Sequence, residues 1–255
     1  VNFIDAIILG IVEGLTEFLP ISSTGHMMLA SRLMGIENSD FLASFEISIQ
    51  LGAILAVVIL YWGTLVKEPA VYKKIIAAFI PTAFFGAVFY KLIKQVLLTS
   101  TDVVIWSLLL GGLFIIIFDL LHKEKASAVR ELKDLRYSQA VVIGICQSVA
   151  MIPGVSRAAA TIIGGLGVGV SRKAIVEFSF LLAVPTMAAA TVWDLYKTAP
   201  GFDSRQIFLL TIGFGTSFIV AVAAVKIFLK YIQKHGFIVF GLYRIAIAGL
   251  FLILK

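Results

Sequence analysis

The sequence predicts an all-α polytopic membrane protein built as an inverted repeat, each half a re-entrant helix hairpin followed by three transmembrane helices. Three observations predict it. The 255 residues are 60% hydrophobic and 14% charged, with a mean hydropathy of +1.03, and a soluble domain of that length cannot bury so much apolar surface. Two apolar stretches are interrupted at matching places by polar residues. Lys and Arg concentrate in alternate connections, as the positive-inside rule requires.

The first apolar stretch, about 3–35, does not divide into full spans. Pro20 and the run Ser22-Ser23-Thr24-Gly25 cut it, so it reads as a hairpin that enters and leaves on one side. Irregular backbone at that depth is tolerated only inside protein or beside a wet cavity. Spans follow at about 41–62, 72–92 and 102–121, each near the ~20 residues a crossing needs. A polar connector of mixed charge, about 122–138, carries no chemistry of its own in this reading. Pro153-Gly154 cuts the second broken stretch, about 139–170. Spans at about 175–195, 206–226 and 237–254 complete a single membrane domain, with repeat one over 1–121 and repeat two over 139–255.

Three crossings per half would insert the second half upside down. Along such a path one face receives 13 Lys and Arg and the other 6, with Arg157 and Arg244 left inside membrane segments. The richer face is then cytoplasmic. Both termini and the first hairpin open to the outside, and the second hairpin enters from the cytoplasm. The net charge of +6 belongs to these loops and headgroups, so no nucleic-acid partner is expected. Asp5, Glu13 and Glu17 in the first run argue against a cleavable signal. Cys146 is the only cysteine, which excludes a disulfide within the chain and a thiolate metal cluster, and it reads as a small packing residue.

The two interruptions resemble each other. Gly10-Ile-Val-Glu13 leads to Pro20 and the hydroxyl run before His26, and Gly144-Ile-Cys-Gln147 leads to Pro153-Gly154-Val155-Ser156-Arg157. Glu46-x-Ser48 is echoed by Glu177-x-Ser179. Ionisable groups at membrane depth are costly and are functional candidates by default. Interruptions at corresponding places in two halves point to a midplane site.

Glu13 and Glu17 lie four apart on one helix face, and Gly10 and Gly14 would let another helix approach closely. Two carboxylates so near need a shared proton, a divalent cation or a guanidinium; the plain alternative is an acidic outer face. The run Ser22 to Thr24 offers hydroxyls and a helix start suited to an anion, or simple capping. His26 is a relay or a satisfied core histidine. Arg157 has the fork that suits phosphate oxygens, or it is a structural partner of Glu13 or Glu17. Thr161 lies one turn beyond it. Arg244 reads equally as a second phosphate contact or as a partner for Glu177 or Glu46. Glu46 and Gln50, also four apart, and Gln147 are outlying members of the site or parts of a polar seam. The glycines from Gly164 to Gly169 lack the context of a nucleotide loop and read as close helix packing or flexibility in the hairpin. This set suits phosphoanhydride hydrolysis on a lipid, though spacing alone does not select that over ion transport.

At these residues the chain resembles the undecaprenyl-diphosphate phosphatase family, also called bacitracin-resistance proteins. The stretches that carry it are Glu13-Gly-Leu-Thr-Glu17-Phe-Leu-Pro20-Ile-Ser22-Ser23-Thr24-Gly25-His26, Phe45-Glu46-Ile-Ser-Ile-Gln50-Leu-Gly52, Pro153-Gly154-Val-Ser156-Arg157, Glu177-Phe-Ser-Phe-Leu-Leu-Ala-Val-Pro185 and Tyr243-Arg244. They are spread over nearly the whole chain. The resemblance implies a multi-pass enzyme of the bacterial inner membrane, with its site open toward the periplasm. It implies hydrolysis of a polyprenyl diphosphate, undecaprenyl diphosphate, to the monophosphate for cell-wall synthesis, and tolerance to bacitracin. By the same resemblance Glu13 and Glu17 serve metal binding and catalysis, Ser23 attacks, and His26 or Glu17 assists. Ser156, Arg157 and Thr161 match the diphosphate-binding run, with Ser22 and Thr24 beside it. Mg or Ca is the implied divalent cation, in keeping with oxygen ligands. The chain departs from the family at Ser156-Arg157-Ala158-Ala159, where Ser-Arg-Ser-Gly is usual; one hydroxyl and one Gly are missing. The rival expectation is a lipid flippase or small-solute transporter, an architecture in which inverted repeats recur. Oligomeric state is left open, a homodimer included.

Overall fold

The computed structural model describes residues 1–37, 39–92, 100–198 and 201–254. Lys94 and Lys255, both counted among the loop charges, lie outside the described residues. The elements in chain order are α1 (Phe3–Thr16), α2 (Ser23–Leu33), α3 (Asp40–Leu60), α4 (Trp62–Lys67), α5 (Pro69–Leu92), α6 (Thr101–Leu121), α7 (Tyr137–Ser148), α8 (Arg157–Gly167), α9 (Arg172–Thr198), α10 (Ser204–Ile232) and α11 (Ile238–Leu254). Among the described residues there is no strand, only an isolated bridge between Val129 and Val170 that ties the connector to the start of α9. This is a polytopic all-α membrane protein.

Each broken stretch folds as two short helices. α1 and α2 have 14 and 11 residues, about 21 and 16 Å at 1.5 Å per residue. Neither reaches across a hydrocarbon core of about 30 Å. α7 and α8 have 12 and 11 residues and are joined through a single 3₁₀ turn. α1 opens on a capping box in which Asn2 and Asp5 exchange side-chain to backbone bonds of 3.0 and 2.7 Å. Such reciprocal pairing satisfies two of the helix's otherwise orphaned N–H groups.

Five helices (α3, α5, α6, α9 and α10) are long and apolar enough to cross a membrane. The sixth expected span, about 237–254, is present as α11, though short for a crossing. α11 has 17 residues, about 25 Å, the lower limit for a crossing. Its start is fixed by Asp119, whose carboxylate accepts the Phe237 N–H at 2.8 Å. Windows of α3 and α9 are 56% and 50% buried, against 28% for α5, α6 and α10. α3 and α9 are therefore the inner pair, and the others turn apolar faces such as Trp106, Leu110 and Phe84 outward.

The halves lean on each other. α1 packs on α10 and α7 on α5, so the first helix of each hairpin rests on a long helix of the other half. Small residues make this approach, as the spacing of Gly10 and Gly14 predicts. A Cβ at Gly10 would come within 2.8 Å of the Gly213 carbonyl, and one at Gly14 within 2.6 Å of that of Ser217. Gly144 is pressed in the same way against the backbone of Ala78. Farther on, Gly164 packs on Cys146 and Gly165 on Ile175, whereas Gly167 and Gly169 have no close neighbour, so only the first part of the glycine run is close packing.

Candidate active site

Both hairpins turn on a strained serine. Ser22 has φ 72° and Ser156 has φ 76°, and they are the only non-glycine residues with positive φ among the described residues. Each is the N-cap of the second hairpin helix. The Ser22 hydroxyl accepts from Gly25 N–H at 3.4 Å and that of Ser156 from Ala159 N–H at 3.2 Å. Non-glycine residues held at such angles cost of order 1–3 kcal/mol and cluster at functional sites.

The two turns meet, and Arg244 of α11 holds them together. Its Nη1 donates to the carbonyls of Val155 (2.8 Å) and Pro20 (3.4 Å), one from each turn. Nη2 donates to Gly154 (2.9 Å) and Ser107 (2.7 Å), and Nε to Leu108 (3.4 Å). All five N–H donors of the guanidinium are thereby directed at backbone carbonyls. The side chain is fully buried. Neither expectation for Arg244 is met: among the described residues it contacts no carboxylate, and its donors are spent on the backbone, not held ready for phosphate. Broken helices free carbonyls at membrane depth, and a buried guanidinium satisfies them.

The meeting of the turns sets acid against base. Glu17 lies just past α1, where Pro20 ends the helical run, and Arg157 is the first residue of α8. Arg157 Nη2 stands 3.4 Å from Glu17 Oε1. Its Nη1 donates to the Ser179 carbonyl of α9 at 2.8 Å, and its guanidinium carbon lies 5.9 Å from the centre of the Phe18 ring. Nε is buried without a hydrogen-bond partner, so part of the fork is uncommitted. Ser23 donates its hydroxyl proton to Glu17 Oε2 at 2.6 Å. Ser23, Glu17 and Arg157 thus form one chain across the two hairpins.

Glu13, one turn before Glu17, is fully buried, and neither carboxylate oxygen has a hydrogen-bond partner among the described residues. Glu17, Glu46 and Arg157 are the charged groups near enough to act on it. Glu46 in turn accepts the Ser31 hydroxyl at 3.0 Å, which ties α3 to α2. His26 lies on α2, one turn after Ser22. Its Nδ1 is 2.7 Å from the Ser22 carbonyl, which can only accept, so Nδ1 carries the proton. Nε2 then accepts the Tyr243 hydroxyl at 2.9 Å, and the two rings lie nearly parallel, 2° apart in tilt with centroids 5.4 Å apart. Tyr243 is 41% exposed, whereas Glu13, Glu17, Ser22, Ser23 and His26 are buried. Thr24 is exposed beside them.

The remaining candidates lie outside this cluster. Thr161 is fully buried; its hydroxyl bonds that of Ser179 at 2.6 Å and backs onto the Arg157 carbonyl at 3.0 Å. It supports the Arg157–Ser179 contact and has no exposed face for phosphate. Gln147 donates to the hydroxyls of Thr82 (2.8 Å) and Thr186 (3.1 Å), in a knot between α7, α5 and α9. Glu177 faces Lys173, 3.9 Å away, near the start of α9. Gln50 is half-buried on α3, one turn from Glu46. Ala158 and Ala159, at the departure from the family pattern, are both buried in the apolar core, so no hydroxyl is needed there to complete the Arg157 contacts. The sequence reading missed Tyr243 and Ser179 as functional neighbours. Its one usable signal was a phenol beside Arg244 inside an apolar run.

Residues 6–250 match the family of Bacitracin resistance protein BacA. The chain belongs to that family. Among its relatives, an undecaprenyl-diphosphatase of Aquifex aeolicus is 51% identical over 242 residues, 95% of this chain and 94% of the relative. One of Bdellovibrio bacteriovorus is 47% identical over 253 residues, 99% and 96% of the two chains. A third, of Sulfurihydrogenibium, is 48% identical over 248 residues, 97% of each. Within the BacA family frame, the clustered residues are those in which the sequence carries the resemblance: Glu13, Glu17, Ser23, His26 and Arg157.

Proposed function

We propose that this chain hydrolyses undecaprenyl diphosphate to undecaprenyl phosphate and phosphate, the activity its relatives are named for. The observation that carries the reading is the chain Ser23–Glu17–Arg157, with 2.6 Å from hydroxyl to carboxylate and 3.4 Å from carboxylate to guanidinium. A hydroxyl bonded to a carboxylate is an activated nucleophile. A guanidinium with unspent donors beside it is placed to hold the phosphoryl group and to neutralise charge as it develops.

In this reading Ser23 Oγ attacks the terminal phosphorus and Glu17 takes its proton. The bond from that phosphorus to the bridging oxygen breaks, and undecaprenyl phosphate leaves with the electron pair. Glu17 passes that proton to the departing undecaprenyl phosphate; water then attacks the phosphoserine, Glu17 takes a proton from the water and returns it to Ser23 Oγ as the serine–phosphorus bond breaks and phosphate departs. His26 orients the turn through Ser22 and contacts Tyr243, the exposed edge of the cluster. Ser22 and Ser156 fix the turns, and Thr24 flanks the approach.

A divalent cation is part of the proposal, and the residues fit it in one mode. Both oxygens of Glu13 are buried without a hydrogen-bond partner among the described residues, and the Glu17 carboxylate is near enough to act on them, a donor set that suits an oxygen-seeking cation. Among the described residues no group of three or more His, Cys, Asp or Glu could form a protein cage. Mg²⁺ commonly binds through one or two carboxylates with substrate phosphates and water, so Glu13, with Glu17, would hold it. Bound there, it would offset diphosphate charge.

We further read the halves as inverted repeats in the bacterial inner membrane, with the first hairpin opening to the periplasm. The exchange of hairpins between halves and the 13-to-6 loop charge bias support this. The test is phosphate release from a prenyl diphosphate by purified protein in detergent. Rapid quench should trap a phosphoprotein that Ser23→Ala lacks. A Ser23→Ala enzyme with unchanged turnover would remove the nucleophile, and no release by the parent protein would return the transporter reading.

A further inference from the structure

At the connector end of the bundle lies an open basin of about 830 Å³, lined by residues of the connector, the start of α9 and the end of α10. Lys123, Arg130, Arg172, Lys173 and Lys234 line it, against one acid, Glu124. A second hollow of about 550 Å³ shares His122, Lys123 and Glu124 with it and adds Lys125. No residue of the Glu17–Arg157 cluster lines either. We propose that this basin binds a phosphate-bearing anion, either the headgroup of an anionic lipid or free phosphate.

Arg172 is built into place. Its Nη2 meets Asp119 Oδ1 at 3.0 Å, and Asp119 is itself fixed by the Phe237 N–H at 2.8 Å. The carboxylate aims the guanidinium, and Nε is left buried without a hydrogen-bond partner. His122 Nε2, beside it in the lining, is likewise without one. Arg172 is also the first residue of α9, a helix of 27 residues, whose positive end favours anions. That end already holds one anion: Glu124 Oε2 accepts the Arg172 N–H at 2.9 Å. The Val129–Val170 bridge closes the connector over this point, so Arg130 is presented to the basin and not left on a free loop. Scattered loop lysines would satisfy the positive-inside rule, but they need no concave wall, no aimed arginine and no helix start. The connector, expected to be without chemistry, supplies His122, Lys123, Glu124 and Arg130 to this wall.

The test uses the full chain and two probes. Titration calorimetry in detergent follows inorganic phosphate. Native mass spectrometry from nanodiscs counts retained phosphatidylglycerol against phosphatidylcholine. The variant is Arg130→Gln/Lys234→Gln, and the control is Lys67→Gln/Lys73→Gln, an exposed pair outside the basin. Binding in at least one arm should weaken about tenfold in the variant, the scale of losing charge-assisted contacts, and be unchanged in the control. Prenyl-diphosphate hydrolysis should be equal in all three. Loss of phosphatidylglycerol alone assigns a lipid headgroup; loss of phosphate binding assigns the free anion. Equal loss in the control, equal binding in all proteins, or no binding by the parent in either arm overturns the proposal.

Discussion

The two hairpins share a backbone and differ in chemistry. Each has a first helix docked on the other half, a proline-containing break, a serine at φ near 74° (72° and 76°) and an 11-residue second helix. Yet Glu13 in the first is buried with both oxygens unpartnered, whereas Gln147 at the matching place in the second is tied down through its amide nitrogen, which donates to two threonines, and leaves only Oε1 without a partner. The first hairpin brings acid, hydroxyl and imidazole; the second brings one guanidinium. What the difference teaches is that two breaks of like turn geometry can carry unlike side chains, and in the proposed reading those side chains decide which turn does chemistry. A polar group with partners is structure. A buried carboxylate with neither oxygen partnered, one turn from a second carboxylate, calls for a bound ion, a shared proton or a catalytic role.

The largest effect should come from breaking the one contact that joins the hairpins. Arg157→Ala and Glu17→Ala should each lower kcat/KM for prenyl diphosphate about 10³-fold or more, the scale of losing a phosphoryl-stabilising arginine. Arg157→Lys should fall between, because it keeps the charge and loses the fork. Steady-state phosphate release measures this, with thermal unfolding to confirm that the proteins fold. Near-normal turnover in either alanine variant would separate the hairpins functionally.

Exchanging the matched pair tests the comparison directly. Glu13→Gln should cut turnover about 100-fold, the lower range for a lost acid–base or charge contribution. It should leave the melting temperature equal or raised, since a buried carboxylate becomes a neutral amide. Gln147→Glu should do the reverse. It leaves Thr82 and Thr186 facing a buried carboxyl where they now accept from an amide, at a cost of about 1–3 kcal/mol, with little change in turnover of the folded enzyme. If both exchanges lowered stability alike and spared turnover, Glu13 would be an ordinary core residue.

How much of this the sequence shows depends on what kind of partner a residue takes. Glu17 and Arg157 were legible because two opposite charges in apolar runs have few stable arrangements apart from each other. Gly10 and Gly14 were legible because spacing alone puts them on one face. Arg244 was not, because the sequence reveals a charge but not that two broken helices expose carbonyls able to satisfy all five of its donors. Gln147 matched Glu13 by spacing, and only the flanking Thr82 and Thr186 show that its environment is different. Tyr243 was hidden for a similar reason: its contact with His26 spans 217 residues.

A smaller effect is expected at that long-range contact. Tyr243→Phe removes the hydroxyl donated to His26 Nε2 and keeps the ring. Turnover should fall about tenfold, the loss of one hydrogen bond of roughly 1.4 kcal/mol. The fall should appear mainly in kcat, since Tyr243 touches His26 and not the Glu17–Arg157 pair. A change confined to KM would instead make Tyr243 a substrate contact at the exposed edge.

The smallest effect probes the feature the hairpins hold in common. Ser22→Gly and Ser156→Gly relieve a positive φ that glycine adopts freely, and each removes a side-chain cap. Replacing a capping Ser by Gly costs only a few tenths of a kcal/mol, whereas the relieved strain is of order 1 kcal/mol or more. Both glycine variants should therefore be as stable as the parent or slightly more so, and by similar amounts. Ser22→Ala and Ser156→Ala lose the cap and keep the strain, so both should be less stable, by roughly 1 kcal/mol. Thermal unfolding in one detergent suffices to compare all four. Turnover adds the distinction: Ser22 supports Ser23 and His26 on its own helix, so Ser22→Gly should loosen the nucleophile and slow release more than Ser156→Gly does. Matching stability changes with unequal rates would show one turn used twice, once for chemistry and once to present Arg157. Unequal stability changes would mean that the two serines are strained for unrelated reasons.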